Sequence, residues 1–158
     1  MTKREWIKFK HARFTARFPA DFSYSRSHYW MSRVEDEPGV WRVGFTKFAT
    51  RMLGELVDFN FKVQPGDAVM PGMEIGWVEG FKASSDVFCV MQGAFHGSNP
   101  ALAADACIVR SDPYLDGWLY AVKGEPEEDH LDVHGYVELL NATITRMAAE
   151  EHVENSGS

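Results

Sequence analysis

Features that would indicate catalysis are scarce in this sequence of 158 residues. Only two cysteines are present, and the spacing of Cys89 and Cys107 fits no Cys-x-x-Cys motif. A glycine-rich phosphate loop, a Gly-x-Ser-x-Gly nucleophile elbow and a dense cluster of histidine and cysteine are also missing. His130 and His134 have a spacing that zinc sites use, but no third ligand accompanies them, and we predict no metal site. None of these common catalytic motifs is therefore present to support an enzymatic function.

Long hydrophobic runs are absent as well. No apolar segment approaches the roughly 20 residues that a membrane span requires, and no signal peptide is visible. Together with the few cysteines, this predicts a soluble cytoplasmic protein of one domain. The 11 phenylalanines and 5 tryptophans are typical of a β-rich interior.

The charge of the chain is unevenly distributed. Its net charge is −7, yet the segment from Met1 to Arg26 holds seven Lys or Arg and two Asp or Glu, a net +5, so the remainder carries −12. An acidic body of this kind repels phosphates, so we predict no nucleic acid among the partners. It favours partner proteins that present a basic surface.

Residues 1–21 form a basic N-terminal arm in which apolar and cationic residues alternate. The apolar positions are Ile7, Phe9, Phe14 and Phe18. Transit peptides are also rich in arginine, but they are usually rich in serine and helical, whereas this segment lacks serine. The pattern favours an added strand or an ordered arm that covers a sheet edge or docks a partner.

A single lysine stands out in the middle of the chain. Lys82 is the only Lys or Arg between Lys62 and Arg110. Short apolar runs on both sides predict a β-hairpin, with its turn at Ala83 to Asp86. Such a lysine fits either a display site for covalent modification or an ordinary solvated position at a hairpin tip.

Hydrophobic periodicity predicts an α+β fold that is mostly β. Strands are expected at Tyr29–Val34, Trp41–Phe45, Leu56–Lys62, Glu74–Phe81, Val87–Met91 and Trp118–Val122. One helix is expected at Thr46 to Leu53, with Thr46 as its cap and Phe48, Met52 and Leu53 buried. A longer helix, capped near Asp132, is expected from Val133 to about Glu151, with Tyr136, Leu139, Leu140, Ile144 and Met147 facing inward. Residues 152–158 are expected to be disordered.

Several segments match the motifs of one family in order and spacing. Glu79, Lys82, Ala83, Ser85 and Asp86 fit a lysine motif that reads approximately Glu-Ser-Val-Lys-Ala-x-Ser-Asp, and further matches lie at Val40–Leu56, Gln64–Asp67, Ser111–Tyr114, Gly117–Leu119 and Tyr136–Leu140. Over residues 22–145 the chain resembles the lipoyl-carrying H protein of the glycine cleavage system.

The resemblance implies a barrel-like sandwich hybrid of the lipoyl/biotinyl type with peripheral helices, spanning residues 22–151. It implies a carrier, with lipoate in amide linkage to Lys82 and with Glu79, Ala83, Ser85 and Asp86 in support. The implied partners are a lipoate ligase or lipoyl transferase, a flavin dihydrolipoyl dehydrogenase, and the glycine cleavage P and T proteins.

Three departures from the family pattern affect this interpretation. Tyr29 replaces the glutamate of a His-Glu-Trp motif that begins at His28, and Gly80 and Phe81 replace Ser and Val before the lysine. In the family that glutamate lines the cleft of the loaded arm, so His28 and Tyr29 are candidate cleft residues. The departures favour the H-like lipoate-binding proteins of bacterial sulfur oxidation, whose partner is a heterodisulfide-reductase-like complex.

Two alternative functions remain open. One is a genuine aminomethyl carrier of the glycine cleavage system. Another is a module that binds partners without being modified.

Cys89 lies on the predicted strand that leaves the lysine turn. It is expected to be a buried small hydrophobe, or else to exchange with the dithiol of the arm.

Overall fold

The computed structural model describes residues 4–156 as eleven strands and four helices. The strands are β1 (Trp6–His11), β2 (Phe14–Pro19), β3 (Ser23–Tyr24), β4 (Tyr29–Arg33), β5 (Val40–Phe45), β6 (Leu56–Phe61), β7 (Ala68–Val69), β8 (Glu74–Gly80), β9 (Ser84–Phe88), β10 (Met91–Ser98) and β11 (Tyr120–Pro126). The helices are α1 (Lys47–Leu53), α2 (Ala101–Ala104), α3 (Ile108–Ser111) and α4 (Val133–Ser156). Within this part of the chain, no helix is long and apolar enough to cross a membrane.

The strands pair antiparallel in three sheets. Six strands form the largest sheet in the order β3-β4-β5-β11-β10-β7, three form a second sheet in the order β6-β8-β9, and β1 and β2 form a two-stranded sheet. One hydrophobic cluster lies between the two larger sheets; its fully buried members include Val43, Ile75, Val87, Met91 and Val122. Burial of this apolar surface holds the two sheets face to face. The expected mostly-β sandwich is confirmed, although the described strands do not close into a barrel.

The chain crosses from the smaller to the larger sheet at Cys89 and Val90. We predicted one strand from Val87 to Met91, but β9 ends at Phe88 and β10 begins at Met91. The backbone N–H of Cys89 donates to the carbonyl of Met73, and that of Val90 to the hydroxyl of Tyr120. The residues from Val87 to Met91 are all apolar, and Cys89, Val90 and Met91 are buried, so hydrophobic periodicity gives no sign of the crossing.

Helix α1 begins as the sequence predicted. The Thr46 hydroxyl accepts a hydrogen bond from the backbone N–H of Ala49 at 3.5 Å and caps the helix. Phe48 and Leu53 are buried as expected, but Met52 is 47% exposed and that prediction is wrong. Thr50 is buried in its place, and its hydroxyl donates to the Lys47 carbonyl at 2.9 Å, so its polar atom is satisfied.

Helix α4 packs beside β3, the edge strand of the six-stranded sheet. The carboxylate of Asp132 accepts from the backbone N–H of Gly135 at 2.8 Å, as expected for its cap. The predicted inward stripe is confirmed, with Tyr136 and Leu140 fully buried and Leu139, Ile144 and Met147 packed against the same cluster. The helix continues to Ser156, whereas we expected it to end near Glu151 and the tail from residue 152 to be disordered. No glycine or proline interrupts the chain between Gly135 and Gly157. Residues 157 and 158 lie outside the described range.

The N-terminal arm folds as a hairpin of β1 and β2 that pairs with neither of the larger sheets. Its aromatic side chains pack on the helices: the ring of Phe18 lies 5.4 Å from that of Tyr136, and the ring of Phe14 lies 5.8 Å from that of Phe48. His11 also forms a hydrogen bond of 2.9 Å with Asn141 on α4. The described part of the arm, residues 4–21, therefore packs on helices α1 and α4 rather than along a sheet edge.

Candidate functional site

Lys82 lies at the tip of the hairpin formed by β8 and β9. The turn is closed by the backbone N–H of Gly80, which donates to the Ala83 carbonyl at 2.8 Å, and Glu79 pairs with Ser84. The predicted hairpin is present, but its turn comes earlier than expected, because Ser84 to Asp86 belong to β9. Glycine is needed at position 80, since a Cβ there would lie 2.1 Å from the Leu53 carbonyl oxygen.

The tip is held by the loop that follows α1. The backbone N–H of Phe81 donates to the Glu55 carbonyl at 3.0 Å, and that of Lys82 donates to the Leu53 carbonyl at 2.9 Å. The Lys82 ammonium makes one exposed hydrogen bond of 3.3 Å, to the Arg51 carbonyl in the last turn of α1. The backbone beneath the lysine is thus fixed while its side chain is exposed. An amine presented in this way is accessible to an enzyme that acylates it.

Replacing Gly54 with alanine is expected to disturb this support. Gly54 has φ of +75°, and an added Cβ would lie 3.1 Å from Cγ and 3.3 Å from the backbone nitrogen of Lys82. We expect a loss of about 1–3 kcal/mol in the free energy of unfolding, measured by urea denaturation. Amide hydrogen exchange at Phe81 and Lys82 should accelerate. Gly66→Ala is the matched control, because Gly66 also has positive φ (+97°) but no atom would lie within 4 Å of its Cβ. Equal exchange at the tip in both variants would contradict the bracing role of Gly54.

The motif residues beside the lysine lie on both faces of the β8–β9 hairpin. Glu79 pairs with Asp58 on β6 and with Ser84 on β9, and Trp77 pairs with Asp86. Since paired residues and alternate residues share a face, the carboxylates of Asp58, Glu79 and Asp86 lie on one exposed face of the three-stranded sheet. We call these three residues the acidic face. Ser85 is on the opposite face, and its hydroxyl donates to the Asp86 carbonyl.

Three exposed apolar side chains near the lysine were not predicted as site residues. Phe81 is 77% exposed, Val57 50% and Met52 47%. Phe81 adjoins Lys82, Val57 lies at the irregular pairing of Leu56 with Gly80, and Met52 belongs to the same turn of α1 as Arg51. We call Met52, Val57 and Phe81 the tip patch. The only sequence signal for it was the replacement of a small family residue by Phe81.

The structure separates the two candidate cleft residues. His28 has φ of +72° and faces α4, where its Nδ1 lies 2.8 Å from the Tyr136 hydroxyl. That hydroxyl also lies 2.8 Å from the Thr46 hydroxyl, the cap of α1. Burial lowers the pKa of His28 from its ordinary value of 6.5 to about 4. His28 therefore joins α4 to the start of α1.

Tyr29 faces the opposite way, into the core between the sheets. Its ring stacks on that of Phe45 at 5.3 Å, and its hydroxyl accepts from the backbone N–H of Phe88 at 3.0 Å. Burial raises the pKa of Tyr29 to about 12. None of the hydrogen bonds of His28 or Tyr29 involves Lys82. A shared arm cleft for the two residues stays a prediction.

The two cysteines differ in access. Cys89 is fully buried, its thiol donates to the Met91 carbonyl at 3.1 Å, and burial raises its pKa. It is a small core residue, so the hypothesis that it exchanges with a swinging arm has no support in this conformation. Cys107 is exposed, and the Glu55 carboxylate raises the pKa of its thiol.

The chain is similar to glycine cleavage H proteins in both sequence and fold. The family model for the glycine cleavage H-protein matches residues 22–145. The glycine cleavage system H protein of Coxiella burnetii (strain Dugway 5J108-111) is 37% identical over 135 residues, covering 80% of this chain and 98% of the relative. That of Enterobacter sp. (strain 638) is 34% identical over 125 residues, covering 77% and 95%. The crystal structure of an H protein from Mycobacterium marinum superposes with a TM-score of 0.67 at 31% identity, covering 77% of this chain and 97% of that one. The hairpin of β1 and β2 precedes the residues that the family model matches.

Proposed function

Because the chain belongs to the glycine cleavage H-protein family, we propose that it carries lipoate in amide linkage to Lys82 for the enzymes of the glycine cleavage system. Members of this family are carriers without catalysis of their own, and they hold a covalently attached lipoate on a lysine. The observation that supports Lys82 is its position at an exposed, braced hairpin tip within the matched motif. The chain is accordingly a carrier protein, not an enzyme.

The residues around Lys82 fit a lipoyl group. Once attached, lipoate supplies a disulfide that can be reduced to a dithiol. The chain's own contribution is to hold the base of the arm: the carbonyls of Leu53 and Glu55 fix the turn, and Gly80 allows its close approach to α1. Tethering raises the local concentration of the dithiol at a docked enzyme.

Recognition of the hairpin would use both surfaces that surround Lys82. The acidic face can pair with a basic groove on a partner, and the tip patch offers apolar side chains that a partner can cover. We expect these contacts with a lipoate ligase or lipoyl transferase, with the glycine cleavage P and T proteins and with a flavin dihydrolipoyl dehydrogenase. All of these partners would meet the carrier in the cytoplasm.

The second candidate function is to carry sulfur intermediates in sulfur oxidation. The relatives described above are named for glycine cleavage, which favours that system. Tyr29 gives less support to a sulfur-oxidation role than the sequence suggested, because its hydroxyl is occupied by the backbone of Phe88 inside the core. Gly80 and Phe81 remain as differences at the surface that a partner such as a heterodisulfide-reductase-like complex would meet.

Two measurements test the proposed function. Peptide mass spectrometry of the protein from its native host should show a lipoyl amide on the peptide that contains Lys82. The lipoylated protein, mixed with glycine decarboxylase from that host, should support exchange of labelled bicarbonate into glycine. A modified protein that supports no exchange would favour the sulfur-oxidation candidate. Unmodified Lys82, in cells that lipoylate other proteins, would favour a binding module without the arm.

Phe81 is expected to affect recognition without affecting stability. Phe81→Ser should change the free energy of unfolding by no more than about 0.5 kcal/mol, because this side chain is 77% exposed. The same change should slow lipoylation of Lys82 by the host ligase at least about tenfold, since exposed aromatic residues at contact sites are frequent hot spots. Initial rates of lipoylation measure this. Leu115→Ser is the matched control, because Leu115 is 47% exposed outside the tip patch. Equal rates for both variants would show that Phe81 is not recognised.

A further inference from the structure

The hairpin of β1 and β2 has two chemically different faces. Register places Phe9 opposite Ala16 and Ile7 opposite Phe18, and these residues point toward the helices. On the other side, Lys8 is opposite Arg17 and Lys10 is opposite Thr15. Arg13 lies in the connecting turn. We call Lys8, Lys10, Arg13 and Arg17, all of them exposed, the basic face.

Packing against the helices explains why one side of the hairpin is apolar, but it does not explain why the basic face is charged. None of the ion pairs found among the side chains described for residues 4–151 involves a residue of the basic face. Like charges directly opposite each other, such as Lys8 and Arg17, destabilise a strand pair. The Arg17 guanidinium lies over the ring of Trp6 at 5.4 Å, which holds it without neutralising it. Neutral polar residues would serve the stability of this hairpin better, so its charge points to a binding role.

The turn end of the N-terminal hairpin, where Arg13 lies, is close to the hairpin tip that carries Lys82. The ring of Phe14, at the start of β2, lies 5.3 Å from the guanidinium carbon of Arg51. The backbone carbonyl of the same Arg51 accepts the hydrogen bond from the Lys82 ammonium at 3.3 Å. One arginine therefore connects the turn end of the N-terminal hairpin to the lysine. A protein of ordinary size that reaches Lys82 can contact Arg13 and its neighbours at the same time.

We propose that the basic face is a second docking point, which binds an acidic patch on an enzyme that visits Lys82. The proposal rests on the proposed function and adds the chemistry of one partner surface. Charge complementarity favours a compact acidic patch over nucleic acid or an anionic membrane. An extended polyanion on the basic face would also meet the remainder of the chain, which carries −12. Because the hairpin precedes the family match, this docking point belongs to this chain rather than to the shared fold.

Surface plasmon resonance, which measures association rates, tests the proposal with charge-reversal variants. The full chain, purified from its native host, is immobilised, and the host's glycine decarboxylase, aminomethyltransferase, dihydrolipoyl dehydrogenase and lipoate ligase are passed over it separately. The test variant is Lys8→Glu, Lys10→Glu and Arg17→Glu combined. The matched control is Arg26→Glu, Lys123→Glu and Arg146→Glu, which changes the net charge equally at exposed positions outside the hairpin. A Lys8→Gln, Lys10→Gln and Arg17→Gln variant removes the charge without reversal, and thermal denaturation checks that each variant folds.

The proposal expects at least one enzyme to associate about tenfold or more slowly with the test variant at about 25 mM NaCl. The Gln variant should show a smaller loss in the same direction, and the control less than about a twofold loss. Equal binding of test and control variants by all four enzymes would overturn the proposal. So would hairpin-dependent binding of single-stranded DNA or phosphatidylglycerol vesicles without any effect on the enzymes. Mass spectrometry of Lys82 in the same samples tests the proposed function independently, since hairpin-dependent docking does not require the arm.

Discussion

Lys82→Arg is expected to abolish lipoylation and carrier activity while leaving the fold intact. The guanidinium stays protonated and forms no lipoyl amide, yet it keeps the positive charge and can still donate to the Arg51 carbonyl. Lys82 is exposed, so the free energy of unfolding should change by less than about 0.5 kcal/mol. Intact-mass spectrometry should show no lipoyl adduct, and glycine–bicarbonate exchange should fall to the background without the carrier.

The matched control is Lys62→Arg. Lys62 is also exposed, directly after β6, and its ammonium pairs with the Glu74 carboxylate, so its replacement should leave lipoylation and exchange unchanged. If the Lys82→Arg protein still carried lipoate or supported exchange, another lysine would be the attachment site. If it failed to fold, Lys82 would have a structural role that its single exposed hydrogen bond does not suggest.

Acidification from pH 6.5 to pH 4 is expected to destabilise the protein by about 3 kcal/mol through His28. Burial holds the folded-state pKa at about 4, below the ordinary value of 6.5, so the folded state favours the neutral ring. The stabilisation is fully present above pH 6.5 and is lost as the pH falls toward 4, because the unfolded chain takes up the proton first. The His28 ring contacts Phe48 and Tyr136, and the Tyr136 hydroxyl in turn meets that of Thr46; all three groups are uncharged. Urea denaturation across this range measures the loss.

His28→Asn isolates this effect. Asparagine tolerates the φ of +72° better than most residues and can still bond to the Tyr136 hydroxyl, but it does not titrate. The variant should lack the loss assigned to His28. Glu127, whose pKa is raised by burial, acts in the opposite direction and is present in both proteins, so it cancels in the difference. Parallel stability curves for the two proteins would contradict the assignment to His28.

The caps and the lysine hairpin could be predicted from the sequence because they depend on neighbours along the chain. The hydroxyl of Thr46 and the carboxylate of Asp132 each reach a backbone N–H three residues later, whatever surrounds the helix. The hairpin around Lys82 follows from two apolar runs that are separated by a few small residues. The family resemblance over residues 22–145 could also be identified from the sequence motifs alone.

Contacts between distant segments decided the rest. The turn falls at Gly80 to Ala83 rather than at Ala83 to Asp86 because Gly80 fits against the Leu53 carbonyl, a contact across 27 positions of the chain. The short helix α1 could bury either Met52 or Thr50 by its own period, and the elements packed around it selected Thr50.

The sequence by itself determined a mostly-β fold with a hairpin around Lys82, because side-chain chemistry and short-range spacing carry that information, and its motifs carried the family resemblance that implied a carrier. Only the tertiary structure decided that His28 and Tyr29 face different clusters, and that the basic hairpin lies beside the lysine. The physical reason is that local patterns specify which faces of an element are apolar. Which other element covers each face depends on packing over the whole chain.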